Sequence, residues 1–143
     1  MNDQIKDAEA SVLVEAPRSR VWQALTDPEI VRQYFLGTNV TTTWREGEPV
    51  TFAGEWKGKR YEDKGIVLVN RHEELLRITH YSPLTGLPDE PENYHTVEYR
   101  LEAKPDGTQV TITQGKNKSA SEAEESAKLW ETVLGNLKEL LER

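Results

Sequence analysis

Two histidines, His80 and His95, are the residues whose types and positions in this chain are most suggestive of chemistry. Each lies in a segment with the alternating pattern of a β-strand, and antiparallel pairing of the two segments makes the histidines cross-strand neighbours. Imidazole is a common metal ligand, so a metal site is one hypothesis. Because no third ligand is placed on the same face, we expect no metal, and instead a hydrogen-bonding lip of a pocket or two partly solvated side chains.

Sequence motifs of the common enzyme classes are absent. The chain contains no nucleophile-elbow Gly-x-Ser-x-Gly, no phosphate-binding glycine loop and no His-Glu-x-x-His. It also has no cysteine, which excludes disulfides, thiolate catalysis and zinc sites with sulfur ligands. Among its 25 acidic residues the sequence singles out no pair for acid/base work. We therefore predict no catalytic residue and no cofactor.

Aromatic and aliphatic side chains form the second group of candidates, because they can enclose a flat apolar ligand. Trp130 is the strongest of them, since it lies on the apolar stripe of the last helix. For any single aromatic residue, filling an ordinary core is the favoured alternative. The predicted ligand-binding residues are Phe35, Trp44, Phe52, Trp56, Ile78, His80, His95, Val97, Tyr99, Trp130 and Leu134.

The segment 82–93 is the best candidate for a functional loop. Three prolines stiffen it, and three acidic residues lie beside the expected pocket mouth. Loops placed in this way gate ligands or contact partners. A well-ordered connection between two strands is the equally supported alternative.

The elements that position these residues read as one strand, two short helices, six strands and a long helix. Asp27 and Pro28 match a helix cap and a first-turn proline, and Gly37 matches a helix stop. The long helix begins with the capping pattern of Ser121 and Glu124 or with a competing one at 119 and 122. The predicted strands are 8–15, 40–45, 50–56, 61–70, 75–81, 94–103 and 108–114, and the predicted helices are 18–26, 28–36 and 121–142.

Short turns between the strands predict an antiparallel meander. Matching apolar residues across neighbouring strands predicts the pairs Leu76–Tyr99, Ile78–Val97, His80–His95, Tyr99–Ile112 and Leu101–Val110. The turn between 50–56 and 61–70 leaves the register of that hairpin open. The apolar stripe of the long helix needs a large apolar surface, which the concave face of a seven-stranded sheet supplies. We expect an α+β fold with a ligand-sized space between helix and sheet.

Composition and charge exclude several classes of protein. The net charge is −7 without a Lys/Arg cluster, which argues against a nucleic-acid binder and against attraction to an anionic membrane. No apolar run approaches the length of a membrane span, and the polar N-terminus lacks the sections of a signal peptide. We expect a single domain over residues 1–143, located in the cytoplasm.

Three sequence strings carry a resemblance to a known family. Residues 16–29 read APRSRVWQALTDPE, residues 82–89 read SPLTGLPD followed by PENYH at 91–95, and the chain ends in a WxxxLxxLxxxLE pattern from Trp130. They resemble the START-like (SRPBCC) superfamily, and within it the bacterial single-domain homologues of the activator of heat-shock protein 90 ATPase. The resemblance implies the helix-grip fold. Members of the superfamily bind lipids, sterols and polyketides, some are enzymes, and the eukaryotic activators stimulate a chaperone ATPase with a separate additional domain.

The leading functional prediction is a cytoplasmic binding protein for a small hydrophobic or aromatic, lipid-like ligand between the C-terminal helix and the curved sheet. On this prediction, Trp130→Ala weakens binding while leaving the fold. The alternative is a protein-interaction module that acts on a chaperone or another protein. A cyclase- or hydrolase-like enzyme that uses cavity residues is a third hypothesis.

Overall fold

The computed structural model describes residues 5–143, so the first four residues of the predicted 1–143 domain lie outside the described part. The described chain forms seven strands and three α-helices in the predicted order. The strands are β1 (Ala8–Val14), β2 (Asn39–Thr42), β3 (Pro49–Trp56), β4 (Lys59–Arg71), β5 (Leu75–His80), β6 (His95–Lys104) and β7 (Gly107–Gly115). The helices are α1 (Arg18–Thr26), α2 (Pro28–Tyr34) and α3 (Ala120–Leu141).

All seven strands belong to one antiparallel sheet with the order β1-β7-β6-β5-β4-β3-β2. Strands β2 to β7 form a meander, and β1 closes the far edge by pairing with β7. The predicted cross-strand pairs are confirmed, including His80 opposite His95 and Tyr99 opposite Ile112. This arrangement confirms the α+β helix-grip fold.

The hairpin between β3 and β4 has a two-residue turn, which the sequence left undecided. Trp56 pairs with Lys59, and the turn residues Lys57 and Gly58 both have positive φ, 50° and 82°. A turn of this handedness matches the twist of the flanking strands. The resulting register places Phe52 opposite Asp63.

Several predicted boundaries differ from the observed ones by one to three residues, and two of these differences have a clear physical reason. Strand β2 ends at Thr42 rather than 45, because Trp44 has a φ of 63° in the left-handed region, which a strand cannot continue through. Helix α3 is capped by Ser119, whose hydroxyl accepts the backbone N–H of Glu122 at 3.0 Å. The competing start therefore applies, and Ser121 lies inside the helix.

The core lies between the apolar stripe of α3 and the concave face of the sheet. Leu134 and Leu137 of α3 are almost fully buried, together with Ile78 and Val97 of the central strands. Burying each side chain of this size contributes roughly 1.5–3 kcal/mol. Helices α1 and α2 cover the remaining apolar surface with Val21 and other aliphatic and aromatic side chains.

Gly65 of β4 is required by a close approach of two backbones. A Cβ at this position would lie 1.7 Å from the carbonyl oxygen of Thr79 on β5. Only glycine allows the two strands to come this close.

Between residues 5 and 143, no helix combines the length and the apolar character needed to cross a membrane.

Candidate functional site

A cavity of about 260 Å³ lies between α3 and the concave face of the sheet. Most of its wall consists of aromatic and aliphatic side chains. Eight of the residues predicted to bind a ligand line it: Phe35, Phe52, Trp56, Ile78, His80, Val97, Tyr99 and Trp130. The structure thus brings together most of the predicted set in one apolar space.

Three residues of the predicted set lie elsewhere. Leu134 is buried in the core, one turn of α3 beyond Trp130. Trp44 packs against the edge of the core, and its indole N–H donates to the carbonyl oxygen of Thr26 at 2.8 Å. These two residues hold helix and sheet together rather than facing the cavity.

His95 is the third, and in the structure the two histidines belong to different contacts. They are opposite each other in the register, but each is bonded to a different carboxylate. His95 Nε2 lies 2.9 Å from Glu122 Oε1 at the start of α3, and His80 Nε2 lies 2.9 Å from Asp63 Oδ2. His95 therefore joins sheet and helix, whereas His80 belongs to the cavity wall.

Trp130 is the centre of an aromatic framework at the base of the cavity. Its ring makes edge-to-face contacts with Phe35 and Tyr99, with centroid distances of 5.5 Å and 6.1 Å. Phe35 in turn stacks on Phe52 at 6.5 Å. These separations are favourable for aromatic pairs. The framework joins α2, β3, β6 and α3 around the cavity.

Gln114 holds the indole of Trp130 in position. Its side-chain oxygen accepts the Trp130 N–H at 2.9 Å. Its amide nitrogen donates to Asn117 Oδ1 at 3.0 Å and to Ser126 Oγ at 2.9 Å. Both amide hydrogens are used, so this side chain is a structural support within the cavity wall.

Seven lining residues were not predicted. They are Leu36, Thr38, Tyr61, Asp63, Leu84, Gln114 and Leu129. The signal for two of them is present in the sequence, since Tyr61 and Asp63 have the same alternation phase as the buried Val67. An acidic residue on the buried phase of a strand is unusual and marks a candidate site.

Tyr61 and Thr38 form a polar contact near the cavity. The two hydroxyl oxygens are 2.8 Å apart. Gly54, opposite Tyr61 on β3, leaves room for the phenol ring, because a Cβ there would lie 2.6 Å from the phenol oxygen. The two hydroxyl groups are partners of each other.

Asp63 and His80 form the ionisable pair of the cavity wall. Because a carboxylate only accepts, the His80 ring N–H donates to Asp63 Oδ2. The Asp63 side chain is 14% exposed, and its other oxygen, Oδ1, is buried without a hydrogen-bond partner among residues 5–143. Asp63 is thus an acceptor with unused capacity inside an apolar space.

Tyr99 adds a phenol to the same wall. Burial raises the pKa of Tyr99 well above its ordinary value, because the phenolate would have to lose its hydration. The side chain is therefore a neutral phenol over the whole physiological pH range. It contributes no charge to the cavity.

Apolar side chains form the mouth of the cavity. Leu36, Trp56, Leu84 and Leu129 line the cavity and are also among the exposed large hydrophobic residues. They come from the end of α2, the β3–β4 hairpin, the segment 82–93 and α3. The cavity is thus accessible from solvent through an apolar rim.

The segment 82–93 is ordered by its own contacts. It contains two short 3₁₀ turns, and the Tyr81 hydroxyl donates to the carbonyl oxygen of Leu87 at 2.6 Å. Asp89 accepts the Tyr94 hydroxyl at 2.5 Å and forms an ion pair with Lys64. The segment therefore has a fixed shape, with Leu84 at the cavity mouth.

Among residues 5–143, no group of three or more His, Asp and Glu side chains is placed to hold a metal ion.

The fold and the site define the class of this protein. A seven-stranded antiparallel sheet that holds a C-terminal helix over an apolar cavity is the helix-grip arrangement of the START-like superfamily. The family model described as activator of Hsp90 ATPase homolog 1-like protein matches residues 15–142. The chain belongs to this family.

Solved structures show the same fold over nearly the whole chain. A protein from Cytophaga hutchinsonii is 44% identical, with a TM-score of 0.83 over 97% of this chain and 96% of that one. A protein from Chromobacterium violaceum is 22% identical, with a TM-score of 0.79 over 98% and 99% of the two chains. The Aha1 dimer from Colwellia psychrerythraea is 15% identical, with a TM-score of 0.73 over 94% and 95%. None of the curated proteins matches this chain.

Proposed function

We propose that this protein is a cytoplasmic binding protein for a small hydrophobic or aromatic ligand, which it holds in the cavity between α3 and the concave face of the sheet. The observation that carries the proposal is the cavity itself, which is lined by aromatic and aliphatic side chains and reached through an apolar rim. A ligand that enters it removes apolar surface from water on both sides. The cytoplasmic location is a prediction from the sequence.

The size of the cavity limits the ligand. A cavity of about 150 Å³ is enough to bind benzene, and this one has about 260 Å³. A molecule with two fused rings, or one ring with a short chain, fits this volume. A longer lipid chain would have to extend through the mouth between Trp56, Leu84 and Leu129.

The first experiment is native mass spectrometry of the purified protein, followed by thermal shift with small aromatic and lipid-like compounds. A ligand selective for the folded protein raises the melting temperature. A retained small molecule, or a saturable rise in melting temperature, supports the proposal. A protein that is purified empty and responds to no compound of suitable size contradicts it.

A matched pair of leucine variants tests the location of the ligand. Leu129 at the cavity rim and Leu68 on the outer face of β4 are almost equally exposed, 42% and 43%. We expect Leu129→Ala to weaken ligand binding about fivefold, because about 1 kcal/mol of apolar contact is lost. Leu68→Ala leaves the dissociation constant unchanged. Equal effects of the two variants in calorimetry would place the ligand elsewhere.

A second candidate function is the interaction with a chaperone or another protein. The observation in its favour is the exposure of Leu84 and Leu87 on the fixed segment 82–93. The family description adds the activation of an Hsp90 ATPase as the reaction to test. The ATPase rate of a purified bacterial Hsp90 is measured with the wild-type protein and with Leu87→Ser. Stimulation that this variant loses supports the interaction, whereas an unchanged rate with excess wild-type protein contradicts it.

A further inference from the structure

Asp63 is a partly buried carboxylate whose hydrogen bonds are incomplete. Oδ2 is bonded to His80, whereas Oδ1 is buried with no partner among residues 5–143. A buried acceptor without a partner is costly, and native proteins contain few of them. The position of this one is informative, because Asp63 lines the apolar cavity.

None of the neighbouring polar groups in the cavity wall donates a hydrogen bond to Asp63 Oδ1. The amide of Gln114 is fully used by Trp130, Asn117 and Ser126. The hydroxyl groups of Tyr61 and Thr38 are bonded to each other. The lining contains neither lysine nor arginine among the described residues, so no fixed cation neutralises the carboxylate from inside the cavity.

The pair of Asp63 and His80 has a fixed geometry. Phe52 is the cross-strand partner of Asp63, and its ring lies 5.8 Å from the His80 ring in an edge-to-face contact. The His80 N–H holds one carboxylate oxygen, which leaves the other in a defined position. A positioned group of this kind binds a ligand without first being ordered itself.

We propose that Asp63, oriented by His80, binds a hydrogen-bond-donating group of the ligand, either a hydroxyl or an ammonium group on an apolar body. The same carboxylate repels an acid, so the cavity discriminates against fatty acids and other carboxylates. This inference rests on the proposed ligand-binding function and specifies the ligand class. The polar anchor is at one side of the cavity, and the aromatic framework around Trp130 holds the apolar body.

Four compounds with one ring system and different substituents test the inference by calorimetry on the wild-type protein. They are 2-methylnaphthalene, 2-naphthol, 2-naphthylmethylammonium and 2-naphthoate. We expect 2-naphthol or the ammonium compound to bind about tenfold more tightly than 2-methylnaphthalene, the effect of one hydrogen bond to a charged group. If both compounds bind more tightly, the site recognises any hydrogen-bond donor. If only the ammonium compound does, the site recognises its positive charge. The carboxylate binds most weakly.

Two variants, each of which removes one negative charge, compare a carboxylate inside the cavity with one outside it. Asp63→Asn keeps the shape of the side chain in the cavity, whereas Glu62→Gln changes the exposed neighbour on the same strand. Asp63→Asn is expected to abolish the preference for a donor and to strengthen 2-naphthoate binding. Glu62→Gln retains the wild-type order. If Asp63→Asn does not fold, the comparison of compounds on the wild-type protein still decides the question.

The possible failures are distinguishable. If neither 2-naphthol nor the ammonium compound binds wild-type protein more tightly than 2-methylnaphthalene, or if 2-naphthoate binds most tightly, the role of Asp63 is overturned and the binding function stands. If none of the four compounds binds, both the proposed function and the role of Asp63 are contradicted.

Discussion

Two polar side chains of the cavity wall, Gln114 and Asp63, differ in how completely their hydrogen-bonding groups are satisfied. The amide of Gln114 uses its hydrogens and accepts the Trp130 indole, whereas one oxygen of Asp63 has no partner in the described chain. A saturated group supports neighbouring side chains, and an unsaturated one is available to a ligand. At the scale of single residues, this difference separates structural from candidate binding side chains.

Trp130→Phe is expected to reduce stability through its hydrogen bond. The variant retains an aromatic ring but leaves Gln114 Oε1 buried without its donor, at a cost of about 1–3 kcal/mol. Trp56→Phe, at the exposed end of β3, is expected to change stability by less than about 0.5 kcal/mol. Urea unfolding measures both free energies. Equal stability of the two variants would show that the Trp130–Gln114 bond contributes nothing.

The burial of Trp130 makes Trp130→Ala an ambiguous test of ligand binding. Because Trp130 is buried in the core, its truncation is expected to cost about 3–5 kcal/mol of stability. Weaker binding by that variant would then reflect a damaged fold as well as a lost contact. The exposed rim residue Leu129 is the better probe of binding.

The junction between α3 and the sheet is one element whose stability depends on pH. Burial raises the pKa of Glu122, but the hydrogen bonds from His95 and from the backbone N–H of Lys118 outweigh it, and the net pKa lies below the ordinary value. A carboxyl group with a lowered pKa in the folded state stabilises the fold at pH values above its unfolded pKa, about 4.3. This contribution is lost as the pH falls through the lower, folded-state pKa.

Glu122→Gln is therefore expected to lower stability at neutral pH by about 1 kcal/mol, since hydrogen bonds to a charged group are lost. The difference from wild type should shrink as the pH falls below about 4. Urea unfolding at several pH values measures it. Glu125→Gln, an exposed position on the same helix, serves as the control and should follow the wild-type curve. A difference that persists unchanged at low pH would contradict the role of the ionised carboxylate.

The meander of antiparallel strands and the register of β5, β6 and β7 could be predicted from sequence, because apolar residues had to match across these strands. The alternation phase of Asp63 is visible in the sequence, but its cross-strand partner is not, because the segment Lys57-Gly58-Lys59 is compatible with more than one turn length. The two-residue turn pairs Trp56 with Lys59 and so puts Asp63 opposite Phe52. The cavity itself depends on the distance between helix and sheet, which no local pattern encodes.

At the scale of the whole molecule, the elements around the cavity mouth differ from those at the far edge of the sheet. The mouth is formed by exposed residues of the end of α2, the β3–β4 hairpin, the segment 82–93 and α3, whereas β1 and β7 pair along their full length and contact α3. Loops with few buried contacts open locally at low free energy. Ligand binding should therefore stabilise the mouth most.

Hydrogen exchange can detect this difference. On addition of a binding compound we expect the amides of residues 34–38 and 82–93 to exchange more slowly, with little change in β1 and β7. Mass spectrometry of peptide fragments with and without the compound measures the change. Protection confined to the outer face of β4 would indicate a different binding surface.

The four rim residues are supplied by separate parts of the chain: Leu36, Trp56, Leu84 and Leu129. Each is exposed, so its replacement disturbs the buried core little. On the proposed binding function, part of the ligand preference is therefore encoded in residues that contribute little to folding. A lineage of such proteins can acquire new ligands by changing these positions one at a time, and a protein engineer can vary them together in a library without redesigning the fold.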